Sequence, residues 1–199
     1  MSRILVNLSV TLDGVLQAPG RADEDPRGGF AHGGWGVPYF HPMMFSANAA
    51  ASASGSPALL FGRRTYEDFF AVWPKRKDNP FTAVLDNSVK YVASRTLAEP
   101  LPWKNSRLLA GDAVPAVAAL KKRDESDLVV LGSGLLVRAL LAAGLVDDLV
   151  LLIHPLVLGT GQRLFAGGEP ASHWALDEAK ATPTGVVIAR YRPAASAEA

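Results

Sequence analysis

The segment Leu128-Val-Val-Leu131 constrains the fold more than any other stretch of this 199-residue chain. A run of consecutive apolar residues indicates a strand that is buried on both faces, which is typical of parallel sheets. The turn Gly132-Ser-Gly134 follows directly, and the next residues, Leu135 to Ala143, have the pattern of a buried helix that ends at Gly144. This strand, turn and helix predict an α/β protein.

The rest of the chain extends this alternation of strands and helices up to about residue 153, after which only strand patterns occur. This order predicts a central, mostly parallel sheet with flanking helices and antiparallel C-terminal strands. We expect one domain over residues 1–192 and a disordered Ala/Ser-rich tail over 193–199. The predicted strands lie at 3–12, 58–61, 82–85, 89–93, 107–109, 128–131, 149–153, 174–180 and 185–191, and the predicted helices at 39–54, 64–72, 113–123 and 135–143.

Composition excludes several classes of function. The net charge of +1 gives no electrostatic case for nucleic acid, and the absence of cysteine excludes disulfides and thiolate catalysis. The histidines have no metal-ligand spacing, so no metal site is expected, and the lack of a G-x-S-x-G motif argues against a hydrolase. The longest apolar stretch, 128–146, contains Gly-Ser-Gly and Arg138, which argues against a membrane span. With no signal-peptide pattern at the start, we expect a cytoplasmic protein.

The segment Leu60-Phe-Gly-Arg-Arg-Thr-Tyr-Glu67 has the properties of a phosphate receptor. A buried strand ends at Gly62, and Arg63, Arg64 and Thr65 open a helix. Free backbone N–H groups, the positive end of a helix and guanidinium groups together favour an anion. The alternative is a basic surface turn that contacts only solvent.

Two other loops are expected beside this one, because they also follow predicted parallel strands. Ser94-Arg95 adds a hydroxyl and a guanidinium group, and Gly132-Ser133-Gly134 adds bare backbone. The carboxyl ends of parallel strands meet at one edge of a sheet, where ligands bind. The three loops indicate a nucleotide with several phosphates, and the arginines favour NADP over NAD. A Rossmann dehydrogenase is disfavoured, because Val137 stands where the G-x-G-x-x-G motif requires a small residue.

The first strand leads to the turn Asp13-Gly14, and a long glycine-rich loop follows from about Gln17 to Gly36. Asp13 could orient a substrate or donate a proton, or it could simply form the turn. A loop of roughly 20 residues is commonly a lid or a binding loop. Trp35 within it could pack in the core or stack on a ligand ring. His154, which precedes a proline, is interpreted as structural.

Five motifs in order along the chain resemble the dihydrofolate-reductase-like superfamily. The branch with the greatest similarity is represented by the C-terminal reductase domain of the bifunctional riboflavin-biosynthesis deaminase/reductase. The resemblance covers about residues 2–192. The motifs that carry it are Ser9-Val-Thr-Leu-Asp13-Gly14, Leu60-Phe-Gly-Arg-Arg-Thr-Tyr-Glu67, Tyr91-Val-Ala-Ser-Arg95, Val130-Leu-Gly-Ser-Gly134 and His154-Pro-Leu-Val-Leu-Gly-Thr-Gly161.

The resemblance implies an NADPH-dependent reductase that is commonly a homodimer. It implies hydride transfer to a C=N or C=O bond of a small pyrimidine- or pterin-like heterocycle, as in 5-amino-6-(5-phosphoribosylamino)uracil reductase of riboflavin biosynthesis. The implied cofactor-binding residues are Ser9, Val10 and Leu16 at the nicotinamide, Gly62, Arg63, Arg64, Thr65, Ser94 and Arg95 at the adenosine phosphates, and Gly132, Ser133, Gly134, Leu135 and Leu136 at the pyrophosphate. We expect Asp13, Trp35 and Thr160 to contact the substrate.

One departure from the superfamily concerns the first helix. Classical dihydrofolate reductases carry a carboxylate there that holds the pteridine, whereas residues 39–54 contain no Asp or Glu. Reduction of dihydrofolate itself is therefore disfavoured. The alternative function is a non-catalytic NADPH-binding or sensor protein that has kept the nucleotide site and lost the acid.

Overall fold

The computed structural model describes residues 2–44, 57–123 and 126–194. Within these ranges the chain forms an eight-stranded, mostly parallel sheet and four α-helices, which confirms the predicted α/β class. The strands are β1 (Ile4–Thr11), β2 (Ala58–Gly62), β3 (Lys90–Ser94), β4 (Ser106–Ala110), β5 (Leu128–Leu131), β6 (Asp148–His154), β7 (Trp174–Ala181) and β8 (Val187–Pro193). The helices are α1 (Arg63–Val72), α2 (Pro80–Asn87), α3 (Ala113–Arg123) and α4 (Gly134–Ala142). No helix in the described ranges is long and apolar enough to cross a membrane.

The chain divides into two compact units, and the first consists of the described residues within Met1–Ile4 and Ser52–Leu145. Its strands lie in the order β4-β3-β2-β5, and all three pairings are parallel. β2 and β5 are apolar because helices cover both faces of a parallel sheet. As a result, Leu60, Phe61 and Val130 are completely buried.

The predicted strand at 82–85 is wrong, because these residues lie in helix α2. Thr82-Ala-Val-Leu85 has the composition of a strand, but two helix-start signals stand just before it. The Asn79 side chain accepts a hydrogen bond from the Phe81 backbone N–H, and Pro80 occupies the first turn of the helix. Local capping therefore prevails over strand propensity. The predicted helix at 39–54 falls largely on residues 45–56, outside the described part of the chain.

Lys90 is a fully buried cation that fixes the end of α2 against the start of β3. Its Nζ donates hydrogen bonds to the carbonyls of Leu85 at 2.7 Å and Ser88 at 2.9 Å, and it lies 4.6 Å from the centre of the Trp103 ring. Burial lowers the pKa of Lys90 to about 8. The last carbonyls of α2 are thus satisfied by a side chain rather than by water.

The second unit consists of the described residues within Leu5–Ala51 and Val146–Ala199. β1 pairs with β6 in parallel, and β6-β8-β7 follow as antiparallel neighbours. This arrangement confirms the predicted antiparallel C-terminal strands. The last strand extends through Pro193, and residues 195–199 of the expected tail lie outside the described ranges.

Candidate cofactor and substrate site

The three loops that are predicted to bind phosphate all follow parallel strands of the first unit. Gly62 ends β2 and is followed at once by α1, Ser94 ends β3, and Gly132 follows β5 and precedes α4. Because β3, β2 and β5 are adjacent, the three loops lie at one edge of this unit's sheet. The structure therefore brings these predicted residues together at the carboxyl ends of the strands, where ligands bind in open α/β sheets.

Two of these loops are joined by hydrogen bonds between the end of β2, the start of α1 and the turn after β5. The Gly62 N–H donates to Ser133 Oγ at 3.0 Å, and the Ser133 N–H donates to Thr65 Oγ1 at 3.1 Å. Both Gly132 (φ 66°) and Ser133 (φ 56°) adopt the left-handed conformation. A Cβ atom on Gly132 would lie 3.3 Å from the Thr65 methyl group. We call Gly62, Thr65, Gly132 and Ser133 the glycine cradle, which a side chain at Gly132 would obstruct.

The three predicted arginines of this unit are exposed and differ in their contacts. The Arg63 guanidinium donates to Glu67 at 2.9 Å and to Thr96 Oγ1 at 2.7 Å, so its own helix and the loop after β3 hold it. Arg95 forms an exposed ion pair with Asp112 at 3.1 Å. Arg64 has no ion-pair partner within the described residues. At least one cation beside the cradle is thus available to an anion.

Of the remaining predicted residues of the first unit, Ser94 ends β3, and Gly134, Leu135 and Leu136 form the first turn of α4. Ser94 is buried, and its Oγ accepts hydrogen bonds from the backbone N–H groups of Thr96 and Leu97. Leu136 is buried, whereas Leu135 is 58% exposed although it is apolar. An exposed leucine at a helix N-terminus offers an apolar surface next to the backbone amides of the cradle. Such a pair of surfaces suits a nucleotide, which combines rings with phosphates.

Asp13, in the second unit, receives hydrogen bonds from two separate stretches of chain. Its carboxylate accepts from Thr11 Oγ1 at 2.6 Å, from the Gly159 N–H at 2.8 Å, from the Leu158 N–H at 3.2 Å and from the Arg163 guanidinium at 3.2 Å. Arg163 also donates to the Asp13 carbonyl at 2.9 Å. The side chain therefore ties the end of β1 to the loop after β6.

These contacts decide which protonation state Asp13 favours. The hydrogen bond from Thr11 lowers the pKa of Asp13 well below its ordinary value, and the Gly159 and Leu158 N–H groups and Arg163 lower it further, against a smaller opposing effect of burial. A carboxylate with four donors is stabilised in its ionised form. Asp13 is accordingly a poor proton donor near neutral pH, and the geometry favours the structural alternative.

The glycine-rich loop is tied down by Gln17, which is only 4% exposed. Its Nε2 donates to the carbonyls of Asp25 and Arg27, both at 3.0 Å, and its Oε1 accepts from the Gln162 N–H at 3.0 Å. The Trp35 Nε1–H donates to the Gln17 carbonyl at 2.7 Å. The loop is thus a folded element that packs on its own side chains rather than an unattached lid.

Trp35 lies inside this element, in an apolar cluster with Val15, Ala18 and Phe30. It is 7% exposed, so the structure favours packing over stacking on a ligand. The predicted residues Ser9 and Leu16 are half-buried, Val10 is buried, and Thr160 is exposed in the loop after β6. All of them belong to the second unit.

Only the folded structure shows the surroundings of His154, which is completely buried at the end of β6. Its Nδ1 lies 2.9 Å from the Leu152 carbonyl, and its ring makes edge-to-face contacts with Trp35 and Tyr39 at 5.0 and 5.8 Å. Burial lowers the pKa of His154, so the neutral imidazole is favoured. The structural interpretation of His154 therefore agrees with its position beneath the glycine-rich loop.

In the described ranges no group of three or more His, Cys, Asp or Glu residues is placed so that it could hold a metal ion. The features that the structure brings together at the predicted cofactor site are the glycine cradle, exposed arginines and an exposed leucine.

The fold is that of the dihydrofolate-reductase-like α/β proteins. Dihydrofolate reductase from Enterococcus faecalis, solved in complex with NADP(H) and RAB-propyl, matches with a TM-score of 0.62 and 14% identity, over 97% of each chain. A pyrimidine reductase-like protein from Corynebacterium diphtheriae matches with a TM-score of 0.63 and 13% identity, over 98% of this chain and 93% of the other. At these identities the likeness shows the fold alone.

Within that class, the chain belongs to the RibD C-terminal domain family, whose model matches residues 2–188. An uncharacterised protein of Bacillus subtilis (strain 168), YyaP, is 29% identical over 172 residues, which cover 82% of this chain and 80% of YyaP. The predicted superfamily and its riboflavin-reductase branch are both confirmed by these comparisons.

Proposed function

We propose that this protein is an NADPH-dependent reductase that transfers hydride to a C=N or C=O bond of a small pyrimidine- or pterin-like heterocycle. The observation that carries the proposal is the glycine cradle, which adjoins the first backbone N–H groups of α4 and exposed arginines at the ends of parallel strands. Membership of the RibD C-terminal domain family and the fold shared with a pyrimidine reductase-like protein support it. The reduction of 5-amino-6-(5-phosphoribosylamino)uracil, or of a close analogue, is the specific reaction we propose.

The residues present fit NADPH. Gly132 leaves open the space that a Cβ atom would fill, so a pyrophosphate can approach the N-terminus of α4. Arg63, Arg64 and Arg95 would hold the adenosine phosphates, and Ser9, Val10 and Leu16 would border the nicotinamide. When bound, this cofactor supplies the hydride.

The protein's own contribution is positioning and the exclusion of water. Ser9 presents a hydroxyl among the apolar side chains of β1, and Asp13 holds the ends of β1 and β6 together through the loop that it anchors. Fixing two reactants in line contributes much of an enzymatic rate enhancement. Since Asp13 stays ionised, we propose that water or the substrate itself supplies the proton and that Asp13 is a positioning residue.

Cofactor preference tests the proposal most directly. We expect NADPH to bind more tightly than NADH, because a guanidinium group and a phosphate form charge-assisted hydrogen bonds. The variant Arg95→Ala should weaken NADPH binding about tenfold, the scale of one such bond of about 1.5 kcal/mol, and leave NADH binding nearly unchanged. Fluorescence titration of both cofactors measures this.

The control for that titration is the variant Arg123→Ala. Arg123 is the last residue of α3, whereas the partner of Arg95, Asp112, directly precedes this helix, so the control variant should bind NADPH like the wild type. Equal affinity of the wild type for NADPH and NADH would contradict the preference. A protein that binds NADPH and never oxidises it with pyrimidine, pterin or quinone-like acceptors would support the alternative, a nucleotide sensor.

We further propose that the protein is a homodimer. β7 is the last strand of its unit and is largely exposed, with Leu176 57% exposed on it. An exposed edge strand with apolar residues is commonly covered by a second chain. We expect light scattering at micromolar concentration to give twice the chain mass of 21.1 kDa, and the mass of a single chain would contradict the dimer.

A further inference from the structure

Asn7 is a buried amide in the middle of β1 whose donor group has no partner. The residue is 8% exposed, and its Nδ2 has no hydrogen-bond partner among the described residues. Buried amide N–H groups are almost always paired, because an unpaired one loses its hydration without compensation. An unpaired buried group in a natural protein calls for an explanation, and one explanation is a ligand that accepts its hydrogen bond.

The position of Asn7 puts it on the same sheet face as Ser9. Side chains alternate along a strand, so residues 7 and 9 point to one side, about 7 Å apart along β1. Their register partners on β6 are Val150 and Leu152. The proposed function places the nicotinamide beside Ser9, so a hydride acceptor there would be within reach of the Asn7 amide.

The surroundings of this face indicate what kind of ligand it would accept. Val150 and Leu152 form an apolar cluster with Val186 and Ile188, and Tyr39, Met43 and Met44 pack against it. Methionine side chains are flexible and adapt to a planar ring that enters beside them. This face of the sheet is therefore apolar, its methionine side chains can change conformation, and Asn7 contributes one polar amide group to it.

We propose that Asn7 is a specificity-determining residue that hydrogen-bonds the lactam edge of a neutral heterocycle, such as a uracil ring. A carboxamide can donate and accept at once, which matches the adjacent C=O and N–H groups of a lactam. The amide carries no charge, and residues 39–54 contain no Asp or Glu that would hold a protonated ring. This inference rests on the proposed reductase function and narrows its substrate class.

The variant Asn7→Leu distinguishes a role in ligand binding from a role in stability, because it should weaken ligand binding and at the same time make the free protein more stable. Leucine has a similar volume and removes the unpaired donor, so the melting temperature of the free protein should rise by about 2–6 °C. The probe is 5,6-diaminouracil, titrated by calorimetry into the NADPH-saturated protein. Its affinity should fall at least tenfold, while NADPH affinity stays within twofold of the wild type.

A second probe isolates the lactam edge. The ring 1,2-diaminobenzene carries the same pair of amino groups without the lactam. The wild type should bind 5,6-diaminouracil at least tenfold more tightly than 1,2-diaminobenzene, and Asn7→Leu should bind the two about equally. The variant Asn7→Ala repeats the measurement should the leucine variant fail to fold.

Ser106→Ala is the matched control, since the Ser106 hydroxyl on β4 is another buried, unpaired polar group in the described residues. It should leave both probe affinities unchanged. The inference is overturned if the wild type fails to bind 5,6-diaminouracil, or if Asn7→Leu binds it within twofold of the wild type. Failure of the wild type to bind NADPH would instead contradict the proposed function.

Discussion

Replacing Gly132 with valine is expected to lower NADPH affinity at least a hundredfold. The first backbone N–H groups of α4 have no intrahelical acceptor and would donate to a pyrophosphate at the cradle, and each charge-assisted hydrogen bond contributes about 1.5–3 kcal/mol. A Cβ atom would already lie 3.3 Å from the Thr65 methyl group, and the branched side chain of valine would extend further into the cradle. The loss of two such bonds accounts for the expected factor. Titration of NADPH into the purified variant measures it.

Gly144→Val is the matched control for this change. Gly144 belongs to the same unit, has a φ of 64° against 66° for Gly132, and has open space where its Cβ would stand. Both variants carry the same left-handed strain, so both should lose thermal stability, and Gly132→Val should lose somewhat more because of its contact with Thr65. Only Gly132→Val should lose NADPH binding. Equal NADPH affinities in the two variants would show that the cradle is not the cofactor site.

Replacing Asp13 with asparagine is expected to lower turnover by roughly a hundredfold while NADPH affinity stays close to the wild type. An amide keeps one acceptor oxygen, but its NH₂ group faces N–H donors that the carboxylate accepted from Leu158, Gly159 and Arg163. The loop after β6 should then lose its anchor, and a misplaced reactant costs about this much in rate. Steady-state kinetics with the reduced cofactor measures the effect.

The variant Arg163→Ala, alone and combined with Asp13→Asn, distinguishes an anchoring role of Asp13 from proton donation by Asp13. Arg163→Ala removes a donor from the Asp13 carboxylate and so should raise its pKa towards the ordinary value. If Asp13 anchors the loop, Arg163→Ala should lose turnover as well, and the double variant should lose little more. If Asp13 donates a proton, Arg163→Ala should instead gain activity at mildly acidic pH. Thr11→Val, which also removes one donor to Asp13, is a second comparison.

The pH dependence of stability gives an independent check on Asp13. Its pKa is lower in the folded chain than the ordinary value of about 3.9, so its contribution to stability is fully present above that value. The contribution is lost as the pH falls below about 4. The stability difference between wild type and Asp13→Asn should therefore be constant from pH 5 to 8 and should narrow in stronger acid. Denaturant unfolding at several pH values measures this.

The sequence predicted those parts of the protein that depend on local pattern. The strand predicted at 58–61, the glycine turn at 132–134 and the adjoining helices follow from apolar runs and glycines that are close together in the chain, and the structure extends the strand by one residue, to Gly62. The shared position of the three predicted phosphate loops follows from the same signals, since parallel strands place their carboxyl ends at one edge. The helix at Pro80–Asn87 could also have been recognised, from the Asn-Pro start that strand-like composition obscured.

What the sequence could not show depends on contacts between distant residues. In the sequence, Asp13 has the pattern of a residue that forms a turn. Only the fold brings the backbone N–H groups of residues 158 and 159 to its carboxylate. The unpaired Nδ2 of Asn7 is likewise visible only once the strands are aligned. No periodicity in the sequence reports whether a buried polar group has found a partner.

The anchored glycine-rich loop has a consequence for protein engineering. Long surface loops commonly accept inserted peptides, and this loop of roughly 20 residues would be an obvious choice for a tag. Because Gln17 bonds to the backbone at residues 25, 27 and 162, the length of the loop is fixed at several points. Insertions there should unfold the element, whereas the turn at Gly167-Gly168, where both glycines face open space, is the better place for a fusion.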